Sequence, residues 1–422
     1  MSEEEISYSY ETLWKLIIRP PRDDYTDSLL GTKLFTYRSR KYHRKDYEIM
    51  STQGYILKCS FIEPVPQDRP SVEMPVVLYL HGNSSSRIEG LYYTGELLKR
   101  HINLFVVDLA GCGQSEGEYI SLGYHESHDI ENIINFIEKL PGVGRIGMWG
   151  RSMGAATTMI YAHRDPRVKA ICLDSPFADF NKLAKELVGQ KINLPGFLIS
   201  GILSIVRGTI INKNGLDINR LKPIEQAEKT FQPAIFIHAI HDELINVQHS
   251  IELFNAYGGQ QKSLKCCDTG GHNTKRDKKI IKEVMEFFKK YLVDGYEEKI
   301  EDDNIINKEE KDINKVDSFG SDMKNDDDNM FYEKSHEIME YNKKQDQFNQ
   351  SQIDGFKNLF QHVKEPDIKK SIFNFENQQK SQGNFNNSGF NNFNNYNICN
   401  NNYNNINEQN NLLNIDNNKK LK

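Results

Sequence analysis

The sequence predicts an α/β fold on a mostly parallel, doubly wound sheet, with a helical cap insertion and a disordered C-terminal tail. Three observations predict it. Apolar, strand-length segments alternate with helical segments over residues 46–293, the pattern of strands joined by right-handed crossovers. Gly150-Arg-Ser-Met-Gly154 lies between one such strand and the helix that follows it. Ser152, Asp242 and His272 stand in that chain order, each just beyond a predicted strand.

From the N-terminus, residues 1–45 read as a leader packing on the domain. A short helix over 10–18 places Leu13, Trp14 and Ile17 at helical spacing and stops at Pro20-Pro21. Strands at 47–50 and 55–62 begin the sheet as an antiparallel pair. Strand 76–80, helix 89–101 and strand 104–109 follow. The helix around Ile130 buries Ile130, Ile133, Ile134 and Ile137 on one stripe. Strand 146–149 leads into the Ser152 helix, and strand 168–174 ends at Asp174.

Residues 180–222 read as the helical cap, whose apolar side chains would face the substrate pocket. A strand near Ala234, helix 248–257, a strand near Leu264 and helix 278–291 complete the domain, 46–293. Residues 294–422 begin as a charged tract and end in an asparagine-dominated one. Such a chain buries too little apolar surface to offset its conformational entropy, so disorder is expected. A short helix within 339–363 is the one element expected there, and the tail is a candidate for protein interaction.

A serine on a sharp strand-to-helix turn needs small neighbours, and Gly150 and Gly154 supply them. Its hydroxyl is then lifted above the free amides of the helix N-terminus, which suits a nucleophile. His272, flanked by glycine, would take the proton from Ser152, and Asp242 would hold the imidazole in its tautomer. Asp174 stays open as an alternative acid, because such triads are recognised by geometry. His81-Gly82-Asn83 ends an apolar strand, so the amides of Asn83 and Met153 are the candidate oxyanion hole.

These residues resemble the α/β-hydrolase superfamily, in its serine aminopeptidase-like branch with monoacylglycerol lipases and acyl-protein thioesterase-like esterases. The resemblance is carried by His81-Gly82-Asn83, Asp108-Leu-Ala-Gly111-Cys-Gly113-Gln-Ser115, Gly150-Arg-Ser-Met-Gly154, Asp242 and Gly271-His272-Asn273. It spans roughly residues 45–293 and departs at Ala239 and Asn246, where relatives carry glycine and often proline. It implies a serine hydrolase of esters or thioesters, with an acyl lipid or an S-acylated protein as substrate. An aminopeptidase-like peptidase, or an interaction protein on a hydrolase scaffold, are the alternatives.

Neither His125-Glu-Ser-His128-Asp129 nor His238-Ala-Ile-His241-Asp242 has metal-ligand spacing. Gly111, Gly113 and Gly117 miss the dinucleotide fingerprint. No metal and no cofactor are therefore expected. A formal charge of −6 gives no electrostatic reason for nucleic-acid binding. Six scattered cysteines, with Cys112 expected exposed in its glycine loop, fit a reducing, cytoplasmic setting. The apolar run 194–206 falls short of the roughly 20 residues of a membrane span. Peripheral membrane contact through leader or cap stays open.

Overall fold

The computed structural model describes residues 14–189, 196–294 and 326–359. Its strands are β1 (Leu34–Tyr37), β2 (Arg40–Met50), β3 (Ile56–Pro64), β4 (Met74–Leu80), β5 (Asn103–Val107), β6 (Val143–Arg151), β7 (Val168–Asp174), β8 (Ala234–Ala239) and β9 (Lys262–Cys267). They form one sheet in the order β1-β2-β3-β5-β4-β6-β7-β8-β9. The first three strands pair antiparallel, as do β3 and β5, and every pairing from β5 to β9 is parallel.

The main helices are α1 (Ile88–Leu91), α2 (Thr94–Leu98), α3 (Glu126–Ile137), α4 (Met153–Ala162), α5 (Phe180–Gly189), α6 (Gly196–Asn214), α7 (Gln248–Ala256), α8 (Lys278–Phe288) and α9 (Asp326–Leu359). Side chains along the central strands alternate between two cores, one on each face of the sheet. Val76, Leu78 and Leu80 join one core with α3 and α4, while Val77 and Tyr79 join the other with α1, α2 and α8. Cover on both faces explains why β4 is apolar and buried throughout. Among the described residues, no helix is long and apolar enough to cross a membrane.

Three expectations change. The sheet begins at Leu34, and the boundary expected at residue 45 falls inside β2. The leader thus contributes the edge of the sheet as well as the helical residues 14–18, whose Trp14 and Ile18 are buried in the α3 core. The tail is not disordered throughout: α9 packs against β1 and α1, with Phe331 stacked on Phe35 at 5.3 Å between ring centroids. Finally, Cys112 is buried, because its glycine loop folds back on the domain, and burial pushes its thiol pKa far above the usual range.

Two helices, α5 and α6, stand where the cap was expected. Residues 1–13 and 190–195 lie outside the described residues, as do 295–325 and 360–422 with the asparagine-rich tract and Cys399.

Candidate active site

The strand β6 ends at Arg151, and Ser152 turns the chain into α4 with φ 52° and ψ −112°. A non-glycine residue rarely holds a positive φ, and such strain collects at functional positions. Two close approaches demand glycine here. A Cβ on Gly150 would overlap the Gly154 carbonyl, and one on Gly154 would overlap the carbonyl of Leu80. The second contact also seats the start of the His81-Gly82-Asn83 loop against the first turn of α4.

His272 links the two other loops to this turn. Its Nε2 is 3.0 Å from Ser152 Oγ, and its Nδ1 is 2.7 Å from Asp242 Oδ2. With the carboxylate as the acceptor at Nδ1, that nitrogen carries the proton, and Nε2 is free to accept from the serine hydroxyl. Asp242 is fixed on all sides. Its Oδ1 accepts from the amides of Leu244 and Ile245 at 2.9 and 2.7 Å. His238, buried beside it, lies 3.3 Å from Oδ2. Burial acts to raise the Asp242 pKa, but the charge and hydrogen bonds of His272 and His238 outweigh it and hold the carboxyl far below its ordinary range.

Asp174, the alternative acid, is committed elsewhere. Arg276 donates to its Oδ1 through Nε and Nη2 at 2.9 and 2.8 Å. The same guanidinium donates to the carbonyls of Gly271 and Thr274 at 3.1 and 3.2 Å. Arg276 therefore ties the His272 loop to the end of β7. Glu243 meets the loop as well, its Oε2 3.3 Å from the His272 amide.

Met153 is the first residue of α4, so its amide has no intrahelical partner. Asn83 lies on the facing loop, with its Oδ1 buried and without a hydrogen-bond partner among the described residues. His81 is buried and accepts from the Leu109 amide through Nε2 at 3.1 Å. Its Nδ1–H is then left to donate to the Gly82 carbonyl at 2.7 Å. The ring shapes the loop and lies off the path of a proton.

Two charged residues near this site escaped the sequence reading. Arg151 grips Glu89 with Nε and Nη2, both at 2.9 Å. Glu89 also accepts from Tyr79 Oη at 2.7 Å and from the Gly82 amide at 3.4 Å. Burial would raise the Glu89 pKa, but the Arg151 charge prevails and brings it down to about 2. The spacing of residues 89 and 151 gives no signal in the sequence, since only the fold brings them together. Among the described residues, no group of three His, Cys, Asp or Glu side chains is placed to hold a metal ion.

Residues 75–199 match the protein family described as alpha/beta hydrolase fold. The uncharacterised protein YqkD of Bacillus subtilis (strain 168) is 27% identical over 247 residues, covering 57% of this chain and 78% of YqkD. Lysophosphatidylserine lipase ABHD12 of Danio rerio is 28% identical over 200 residues, or 45% of this chain and 49% of the lipase. The chain thus spans only about half the length of that lipase. Among solved structures, the Pyrococcus furiosus esterase Pf2001 is 23% identical with a TM-score of 0.48, over 64% of this chain and 98% of the esterase. From its sheet order and the match of residues 75–199, this chain has the α/β-hydrolase fold.

Proposed function

We propose that the protein is a serine hydrolase of carboxylic esters or thioesters, working through an acyl-enzyme. The observation that carries this reading is the hydrogen-bonded run Ser152–His272–Asp242, at 3.0 and 2.7 Å. Ser152 Oγ attacks the acyl carbonyl carbon while its proton passes to His272 Nε2. The carbonyl oxygen becomes an oxyanion, which the amides of Asn83 and Met153 stabilise. As the tetrahedral intermediate collapses, the bond to the leaving oxygen or sulfur breaks, and His272 returns the proton to that atom. Water then attacks the acyl-serine with His272 again as base, releasing the carboxylic acid and restoring the hydroxyl.

Asp242 contributes by holding the Nδ1 proton and by stabilising the imidazolium that forms. The carboxyl stays ionised because its two histidine neighbours oppose its protonation. An acyl lipid or an S-acylated protein is the substrate class to try first. The zebrafish relative's name, lysophosphatidylserine lipase, supports starting with lipid esters.

The test is labelling by a fluorophosphonate probe in wild type, Ser152→Ala and His272→Ala. Labelling of wild type alone is the expected result. Equal labelling of the Ser152→Ala protein, or none of a folded wild type, would refute the reading.

A further inference from the structure

The tail helix reaches the same loops as the candidate chemistry. Around residues 331–338 it is apolar in contact: Phe331 packs on Phe35 and Tyr37, and Ile338 is buried. From residue 341 on it presents a polar face, with Tyr341 Oη donating to Asp23 and with Asn342 and Asn349 buried. Along that face Gln345 Nε2 donates to the Ser84 carbonyl at 2.9 Å, one residue beyond Asn83. Asp346 Oδ1 lies 3.5 Å from Arg151 Nη2, directly ahead of Ser152. Gln350 Oε1 accepts from Asn273 Nδ2 at 3.4 Å, directly after His272. Residues 345, 346 and 350 thus meet the neighbours of all three groups in the proposed reaction.

We propose that Gln345, Asp346 and Gln350 are positioning residues that hold the oxyanion loop, the nucleophile turn and the base loop in register. The proposal rests on the serine-hydrolase reading above. Apolar contact around Phe331 and Ile338 provides adhesion without direction, whereas the hydrogen bonds of Gln345 and Gln350 are directional and set loop positions. Arg151 extends the bracing inward, because the guanidinium that meets Asp346 also grips Glu89, and Glu89 accepts from the Gly82 amide.

The geometry favours a brace over a plug. A void of about 30 Å³ lies beneath this part of α9, bordered by Glu89, Arg151, Asn273, Lys275, Gln345 and Asp346 among others. Ser152, Asp242 and His272 are not among its lining residues. The helix makes its polar contacts with Ser84, Arg151 and Asn273, the neighbours of the reacting groups, and so bears on the supports of the loops. A plug would instead fill the space in front of Ser152.

The experiment uses the full chain and a fluorophosphonate probe, with the inactivation rate constant and the probe's apparent affinity measured separately. Thermal melting is followed in parallel. Replacing Gln345, Asp346 and Gln350 together by alanine is expected to slow inactivation about tenfold to a hundredfold, the scale of a small misplacement of reacting groups. Apparent affinity should change less than about threefold, since substrate binding is not what these residues supply. Asp346→Asn, which keeps the side chain's size and an oxygen facing Arg151, should restore most of the rate relative to Asp346→Ala. That rescue separates positioning from general destabilisation, even if the triple variant folds poorly.

An unchanged rate, or a faster one, would overturn the proposal, and the faster one would identify α9 as a plug. Equal losses in Asp346→Asn and Asp346→Ala would also count against it. A folded wild type that takes no label at all would remove the serine-hydrolase reading and this proposal with it.

Discussion

Arg151 and Glu89 form a two-pronged ion pair, both contacts 2.9 Å, that joins the residue before Ser152 to the helix after the His81-Gly82-Asn83 loop. Both side chains are nearly buried, at 11% and 9% exposure. A buried pair gains little net stability over apolar packing, because both charges lose their hydration. Its geometry, with two parallel hydrogen bonds and fixed directions, is what an apolar contact would lack.

Breaking this pair from one side leaves a buried charge uncompensated. Arg151→Met should therefore destabilise the protein by about 3–5 kcal/mol, and Glu89→Gln by a lesser amount because its amide keeps some hydrogen bonds. The double variant should cost clearly less than the sum. Urea unfolding of the four proteins checks this, and additive losses would show that the two residues do not act as a pair.

The two aspartates separate by what they lose. Asp242→Asn should lower kcat by about 10⁴-fold with the fold intact, since an amide no longer fixes the imidazole tautomer. Asp174→Asn weakens the anchor of Arg276 on β7 and should act mainly through stability, by about 1–3 kcal/mol. Comparable kcat losses in both variants, with unchanged melting, would assign Asp174 a direct role.

Gly154 tests the turn itself. Because a Cβ there would run into the Leu80 carbonyl, Gly154→Ala must shift β4 or α4. Backbone cannot yield as a flexible side chain does, so a loss of about 1–3 kcal/mol is expected. Labelling at Ser152 should slow along with it. Thermal melting and labelling rate measure the two effects, and an alanine variant indistinguishable from wild type in both would mean the turn is not tightly packed.

The central strands and the grouping of Ser152, Asp242 and His272 were legible because each leaves a local mark. Strand β4 is an unbroken apolar run, and the serine has glycines at both required distances. The first strands leave weaker marks. Residues 40–45 of β2 read Arg-Lys-Tyr-His-Arg-Lys, which looks like a solvated loop until Tyr42 and Arg44 are seen to be buried. Helix α9 was expected only as a short helix within 339–363, and its docking was hidden for a related reason. Beyond the apolar Phe331 and Ile338 its inward face carries Asn342, Gln345, Asp346 and Asn349, so no continuous apolar stripe marks where it docks. Pairs such as Glu89 with Arg151 are set by sheet order, which local sequence does not display.

The docking of α9 should depend on pH, with a sign fixed by Asp346. Burial raises its pKa from 3.8 to about 6 and Glu89 adds to the rise, while Arg151, Lys275 and His272 offset part of it. Asp23, which accepts from Tyr341 Oη of the same helix, is also raised, chiefly by burial. A group whose docked pKa lies above its free value binds more protons when docked, so docking strengthens as pH falls from about 6 toward 4. Lys275, lowered to about 8 by burial, acts in the opposite sense only at higher pH. Amide exchange in residues 338–350, corrected for intrinsic rates, should therefore be slower at pH 5 than at pH 7.5. In Asp346→Asn, which carries no charge to lose, most of that difference should vanish. Faster exchange at pH 5 in wild type would show that the attraction of Arg151 and Lys275, and not burial, governs this carboxyl.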